Sequence, residues 1–203
     1  MTLLGLLFAV LTGFPTPAPQ GHKVKPPGAS HFSILGVAIG QDTLETIETK
    51  LGAVKECHEK NENASIAGYT DFKEDLVFEF GEVGGGDVTA FYLTTHEQAP
   101  SCPLSTLAQK RKAGLTTKGG IHLGMTEEQF IRVFGLPKSR SRKGQWKYFW
   151  TWKEKLTDEE KKAIADATPA STVSDEAHVS IWIQARFSNG VLRYFYIAKL
   201  ETV

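Results

Sequence analysis

The segment that begins at Gly40 recurs at Gly124, and this internal similarity limits the fold more than any other feature of the chain. A duplicated stretch of this length implies one supersecondary unit used twice. In the first copy Gly40-Gln41-Asp42 leads into Leu44, Ile47 and Leu51 at helical spacing and stops at Gly52. In the second, Gly124-Met125-Thr126 leads into Phe130, Val133 and Phe134 and stops at Gly135. Each predicts one short amphipathic helix. Asp42 with Glu45, and Thr126 with Gln129, set an oxygen-bearing side chain three residues before a Glu or Gln. At that spacing the two residues satisfy backbone donors reciprocally at a helix start. Gly52 and Gly135 then supply the C′ residue, and Pro137 prevents continuation.

After each helix the apolar period changes from 3.6 to two. Trp146, Tyr148, Trp150 and Trp152 share one face of a strand, with Lys147, Phe149, Thr151 and Lys153 on the other. Val179, Ile181, Ile183, Ala185 and Phe187 then alternate with Ser180, Trp182, Gln184 and Arg186, and Asn189-Gly190 marks a tight hairpin into Val191–Leu200. The first copy has Leu76, Phe78 and Phe80 on one face, a turn through Gly84, Gly85 and Gly86, and a returning strand over Val88–Leu93. The expected fold class is therefore α+β, two tandem units of helix followed by antiparallel strands. The triple glycine lacks the Lys-Ser/Thr of a phosphate-binding loop and precedes a strand, so it is a hairpin turn.

The predicted organisation is a signal peptide over 1–21, a linker over 22–33, a first repeat over 34–104, a connector over 105–118 and a second repeat over 119–203. Leu3–Phe14 is an apolar run too short to span a bilayer and of the right length for a signal-peptide core. Five prolines between Pro15 and Pro27 suit a linker better than a helix or strand. The second repeat carries an insertion over 154–177, in which Thr157 and Glu160 cap a polar helical stretch ending near Ala167. With 23 basic and 23 acidic residues the formal charge is zero, so no global field draws the chain to nucleic acid or anionic lipid.

The pattern Gly124-x-Thr126, Phe134-Gly135-x-Pro137, Trp146-x-Tyr148 and Phe187-x-x-Gly190-Val191 resembles the repeat unit of the beta-lactamase-inhibitor-protein-like superfamily, which also includes the SmpA/BamE envelope proteins. The resemblance covers most of residues 34–203. It implies a helical layer on one face of an antiparallel sheet, and a tandem pair whose sheets form a concave, aromatic-rich protein-binding surface. The chain departs from the assembly lipoproteins in having no cysteine near its apolar run, and from the inhibitor in having two cysteines and a long insertion. Inhibition of a beta-lactamase is not carried over.

If Val179, Ile181, Ile183 and Phe187 face the helix, alternation puts Trp182 and Arg186 on the opposite face, where Tyr194 and Tyr196 join them. Trp, Tyr and Arg combine large contact area with a polar handle and dominate interface hot spots, so these four are the candidate contact residues. The competing role for Trp182 is packing beneath the other repeat or the insertion. The stripe Trp146 to Trp152 is read as mostly core. The basic run Lys138, Arg140, Arg142 and Lys143 is read as a solvated cluster beyond a helix C-terminus, where positive charge complements the dipole, with a phosphate or lipid headgroup as the lesser alternative.

No nucleophile with a base, no His-Glu-x-x-His helix and no Gly-x-Ser-x-Gly elbow is present. No catalytic residue, metal or cofactor is expected. The expectation is an exported, periplasmic or secreted, non-enzymatic module that binds a protein. The alternatives are an envelope assembly protein, or a small-ligand binder or hydrolase with its site at the repeat interface. Nucleic acid is not an expected partner, and membrane contact is open but not indicated. Export would place Cys57 and Cys102 where disulfides persist, and they are expected to pair. A metal site with His58 and His96 is the competing reading, and its spacing matches no usual zinc pattern. Titration of the native oxidised protein should find no reactive thiol before reduction and two after it; two thiols before reduction would exclude the bridge.

Overall fold

A computed structural model describes residues 26–54, 57–58, 64–71, 76–83, 86–95, 103–107, 115–141, 143–167 and 174–202. The expected signal peptide lies outside these residues, as do Cys102, His96 and the side chains of Cys57 and His58.

The chain is a mixed α+β protein in which, among the described residues, three α-helices accompany a large, mostly antiparallel sheet. A 3-10 turn (Ala29–Phe32) enters a short hairpin, β1 (Ser33–Ile34) with β2 (Val37–Ala38), followed by α1 (Leu44–Leu51). Then come β3 (Cys57–His58), β4 (Ala64–Asp71), β5 (Leu76–Val83), β6 (Val88–Thr94) and β7 (Ser105–Thr106). The second half has α2 (Glu127–Phe134), β8 (Ser139–Arg140), β9 (Gln145–Lys155), α3 (Asp158–Ala167), β10 (Glu176–Ser188) and β11 (Val191–Thr202). The main sheet runs β3-β4-β5-β6-β11-β10-β9-β8, with β7 alongside β4 in parallel. Asn189 and Gly190, both at positive φ, turn β10 into β11, as a type I′ hairpin requires.

Register explains why one sheet face is apolar. Ala67, Phe80, Phe91, Ile197, Ile183 and Tyr148 are successive cross-strand partners from β4 to β9, and all six are buried. Helix α1 buries Leu44, Ile47 and Leu51, while α2 buries Phe130 and Phe134. Phe130 meets Trp146, Tyr148, Phe187 and Phe195 with ring centroids 5.5 to 6.3 Å apart. Rings at such distances and tilts add to the area they bury.

Both short helices are tied at each end by side chains. Thr126 and Gln129 form the expected capping box on α2. On α1 the cap is Thr43 with Thr46, not Asp42 with Glu45. The first half has one more residue between glycine and cap, and the Gly-x-cap spacing of Gly124-Met125-Thr126 points to the wrong position there. Asp42 instead accepts from the Ala38 N–H at 2.8 Å and from Lys50 at 2.6 Å. Burial opposes its ionisation, but these donors outweigh it and hold the carboxyl below its usual range.

At the other helix ends, Gly52 and Gly135 both take positive φ and donate to Glu48 and Ile131. Their carbonyls accept from buried tyrosines, Tyr69 to Gly52 at 2.8 Å and Tyr148 to Gly135 at 3.0 Å. Each helix C-terminus is thereby pinned to a strand. The start of each helical segment is also pinned: Gly40 donates to Val88 and receives the strand's answer through Val88 N–H to Asp42 O. Gly124 donates to Leu192, whose N–H donates to Met125.

Burial pushes the Tyr69 hydroxyl up to about 12, with the Glu48 charge adding to it, and burial raises Tyr148 as well. A phenol ionises near 10 in the unfolded chain. Stability from the neutral hydroxyls is therefore complete below about pH 10 and falls as pH rises toward their native values. Urea denaturation across this range should show that fall, with a shallower slope for Tyr148→Phe. At neutral pH Tyr148→Phe should cost about 1 to 2 kcal/mol, because the Gly135 carbonyl loses its partner.

Candidate functional site

On β9, β10 and β11 the side chains pointing away from the helices form a continuous patch. Cross-strand pairing sets Phe149, Trp182 and Ala198 in one row, and Lys147, Gln184, Tyr196 and Tyr92 in the next. Gln145, Arg186, Tyr194 and Thr94 make a third. All four sequence-predicted contact residues, Trp182, Arg186, Tyr194 and Tyr196, lie on this face. Trp182 stacks on Phe149 with centroids 5.8 Å apart and planes 20° apart. The two rings are 40% and 36% exposed, among the largest exposed apolar groups of the described residues.

The remaining three predicted residues form a second cluster. The Arg186 guanidinium lies 4.3 Å from the centroid of Tyr194, and Tyr194 stacks on Tyr92 at 6.1 Å. Tyr196 is half-buried between Gln184 and Tyr92. Toward β4 and β5 the same face is closed: Thr70, Val77 and Thr94 are buried. The row that runs through Arg186 and Tyr194 is therefore closed beyond Tyr194.

Sequence alone assigns neither Phe149 nor Lys138 to this surface. Phe149 sits in the polar register of β9, between Lys147 and Thr151, so alternation alone gives it no role. Its partner Trp182 is what makes it part of the site. The Lys138 ammonium lies 5.3 Å from the centroid of Phe149, so one member of the basic run borders the aromatic pair. Such cation–ring contacts contribute about 0.5 to 1 kcal/mol at exposed sites and hold both groups in place. Arg140, by contrast, lies over Trp146 and pairs with Glu127 at 2.7 Å.

The tryptophan stripe divides. Trp146 and Tyr148 are buried, whereas Trp150 and Trp152 are partly buried and packed against the core. Among the described residues no group of three or more His, Cys, Asp or Glu is arranged to hold a metal. The His31 Nδ1 is buried without a hydrogen-bond partner among the described residues. Burial lowers its pKa, its ring leans on Phe134 at 5.1 Å, and a Cβ at Gly119 would fall 2.0 Å from Nδ1.

No family model, curated protein or solved structure matches this chain.

The two tryptophans on opposite faces should respond oppositely to truncation. Trp182→Ala should change unfolding free energy by about 1 kcal/mol or less, because the ring is already part-hydrated. Trp146→Ala should cost about 3 to 5 kcal/mol through loss of a fully buried ring. Equal losses in denaturant melts would place Trp182 in the core.

Proposed function

We propose that this chain is an exported, non-enzymatic protein-binding module, and that the aromatic patch of β9–β11 is its contact surface. The single observation that carries this reading is the exposed Trp182–Phe149 stack with Arg186–Tyr194 beside it. Large rings with polar handles, held in one conformation by stacking, lose little side-chain freedom on binding.

The tandem architecture is part of the same proposal. Supporting it are the matched capping boxes, the tyrosine-to-glycine carbonyl bonds, and the equivalent bonding of Gly40 to Val88 and of Gly124 to Leu192. Counting four residues on from Val88 and Leu192 reaches Tyr92 and Tyr196, which are each other's cross-strand partners. That register is the one an approximate two-fold axis between like units would produce. The resemblance to the beta-lactamase-inhibitor-protein-like superfamily implies the same use of a concave sheet.

Charge narrows the partner. Lys147, Lys153, Lys155 and Arg186 point outward from β9 and β10 on this face, and Lys138 borders it. Facing them on these strands is Glu176, already engaged by Lys153 at 2.8 Å. A second copy would bring like charges together, which disfavours self-association through this patch. The complementary partner is a protein with an acidic rim around an apolar projection.

Crosslinking capture from the native envelope or secreted fraction tests the reading. One stoichiometric protein should be captured by wild type and by Leu136→Ala, which alters an exposed residue just beyond α2. It should be lost with a folded Trp182→Ala/Tyr194→Ala variant and weakened by added salt. No specific protein in any sample removes the proposal, and nucleic acid captured in its place reassigns the face.

A further inference from the structure

Helices α1 and α2 have eight residues each, so each is about 12 Å long at 1.5 Å per residue. Strands β9, β10 and β11 have 11, 13 and 12 residues, and extend about 36 to 43 Å at 3.3 Å per residue. Two such helices cannot cover the helix-side face along its whole length. Beyond them the segment from Pro27 to Gln41, with the β1–β2 hairpin, forms a roof that is not in full contact with the sheet. A cavity of about 450 Å³ lies between this roof and Trp152, Ile181 and Lys199. That volume falls within the range of small-ligand sites.

We infer that this cavity binds a small amphiphilic anion, an apolar body carrying one carboxylate or sulfonate. Phe32, Ile39, Trp152 and Ile181 provide apolar walls. Lys199 breaks the pattern of its strand: Phe195 and Ile197 precede it on the core side and are buried, and its cross-strand partner is Ile181. A cation there stands at the end of an apolar row, where a ligand's head would meet it after its body has covered Trp152 and Ile181. Lys118 is the second basic residue on the lining, and its backbone donates to Ser33 at 2.8 Å, tying its loop to the roof.

The charge balance selects the sign of the ligand. Lys199 is engaged by Glu201, while Lys118 makes no ion pair among the described residues. Two ammonium groups against one carboxylate leave the mouth positive. A cationic ligand would be repelled, and a neutral one would gain less from the two lysines than an anion does. An anion supplies the missing charge, and hydrogen bonds to an ionised partner are the stronger kind. This site is on the opposite side of the sheet from the aromatic patch and does not depend on what binds there.

Isothermal titration of the full chain with dodecanoate below its micelle concentration tests the site, with methyl dodecanoate as the neutral comparison. Wild type should bind one dodecanoate saturably and more tightly than the ester. Lys118→Met/Lys199→Met should weaken dodecanoate by about tenfold, the usual scale of a charged hydrogen bond, and weaken the ester much less. Ile181→Trp should fill the floor and remove both, whereas Trp182→Ala should bind as wild type does. Absence of saturable binding to wild type, or equal affinity in the double-lysine variant, overturns the inference. Because both lysines are solvent-accessible, the double variant decides the matter even if Ile181→Trp does not fold.

Discussion

The antiparallel pairing of β6 with β11 is the contact on which the rest of the molecule depends. Five residue pairs, from Tyr194 with Thr94 to Ala198 with Ala90, join strands from the two halves of the chain. Unpaired, each strand would present a row of backbone donors and acceptors at a sheet edge. Paired, they make one surface out of two. The buried row from Ala67 to Tyr148 crosses this seam without interruption, and Phe91 meets Phe195 across it at 6.1 Å. The core is consequently shared. On the opposite face the same five pairs set Tyr92 against Tyr194, so the seam also builds part of the aromatic patch.

The second constraint is the shortness of the helices. An isolated eight-residue helix is unstable in water, since nucleation costs more than one or two turns return. Here α1 and α2 are held by capping boxes, by tyrosines bonded to their C-terminal glycine carbonyls, and by their buried residues. Short helices on long strands leave sheet uncovered. That geometry accounts for the cavity on the helix side, whereas the aromatic patch lies on the opposite face, away from α1 and α2.

Much of this was legible in the residues. Period-two alternation separates Trp182 and Arg186 from Ile181, Ile183 and Phe187, and the glycines and the Thr126–Gln129 pair mark the helix ends. Asp42 is not the cap because local spacing does not register a one-residue insertion; Thr43 competes for the same role, and Asp42 is drawn off by Lys50 and the Ala38 N–H. The place of Phe149 in the patch is hidden from local pattern for a related reason. Its neighbours on the same face of β9, Lys147 and Thr151, are polar, and its stacking partner is more than thirty residues away on another strand.

The sequence by itself determined the element types and which side chains share a face, because helix and strand periods are local properties set by backbone geometry. It also determined the helix stops and the β10–β11 turn, where positive φ favours glycine or asparagine. Only the tertiary structure decided that β6 pairs with β11, that the closed end of the patch lies at Thr70, Val77 and Thr94, and that Lys118 and Lys199 line one cavity. Those are contacts between segments far apart in the chain. They follow from strand order and from the mismatch between helix and strand lengths, which no local pattern records.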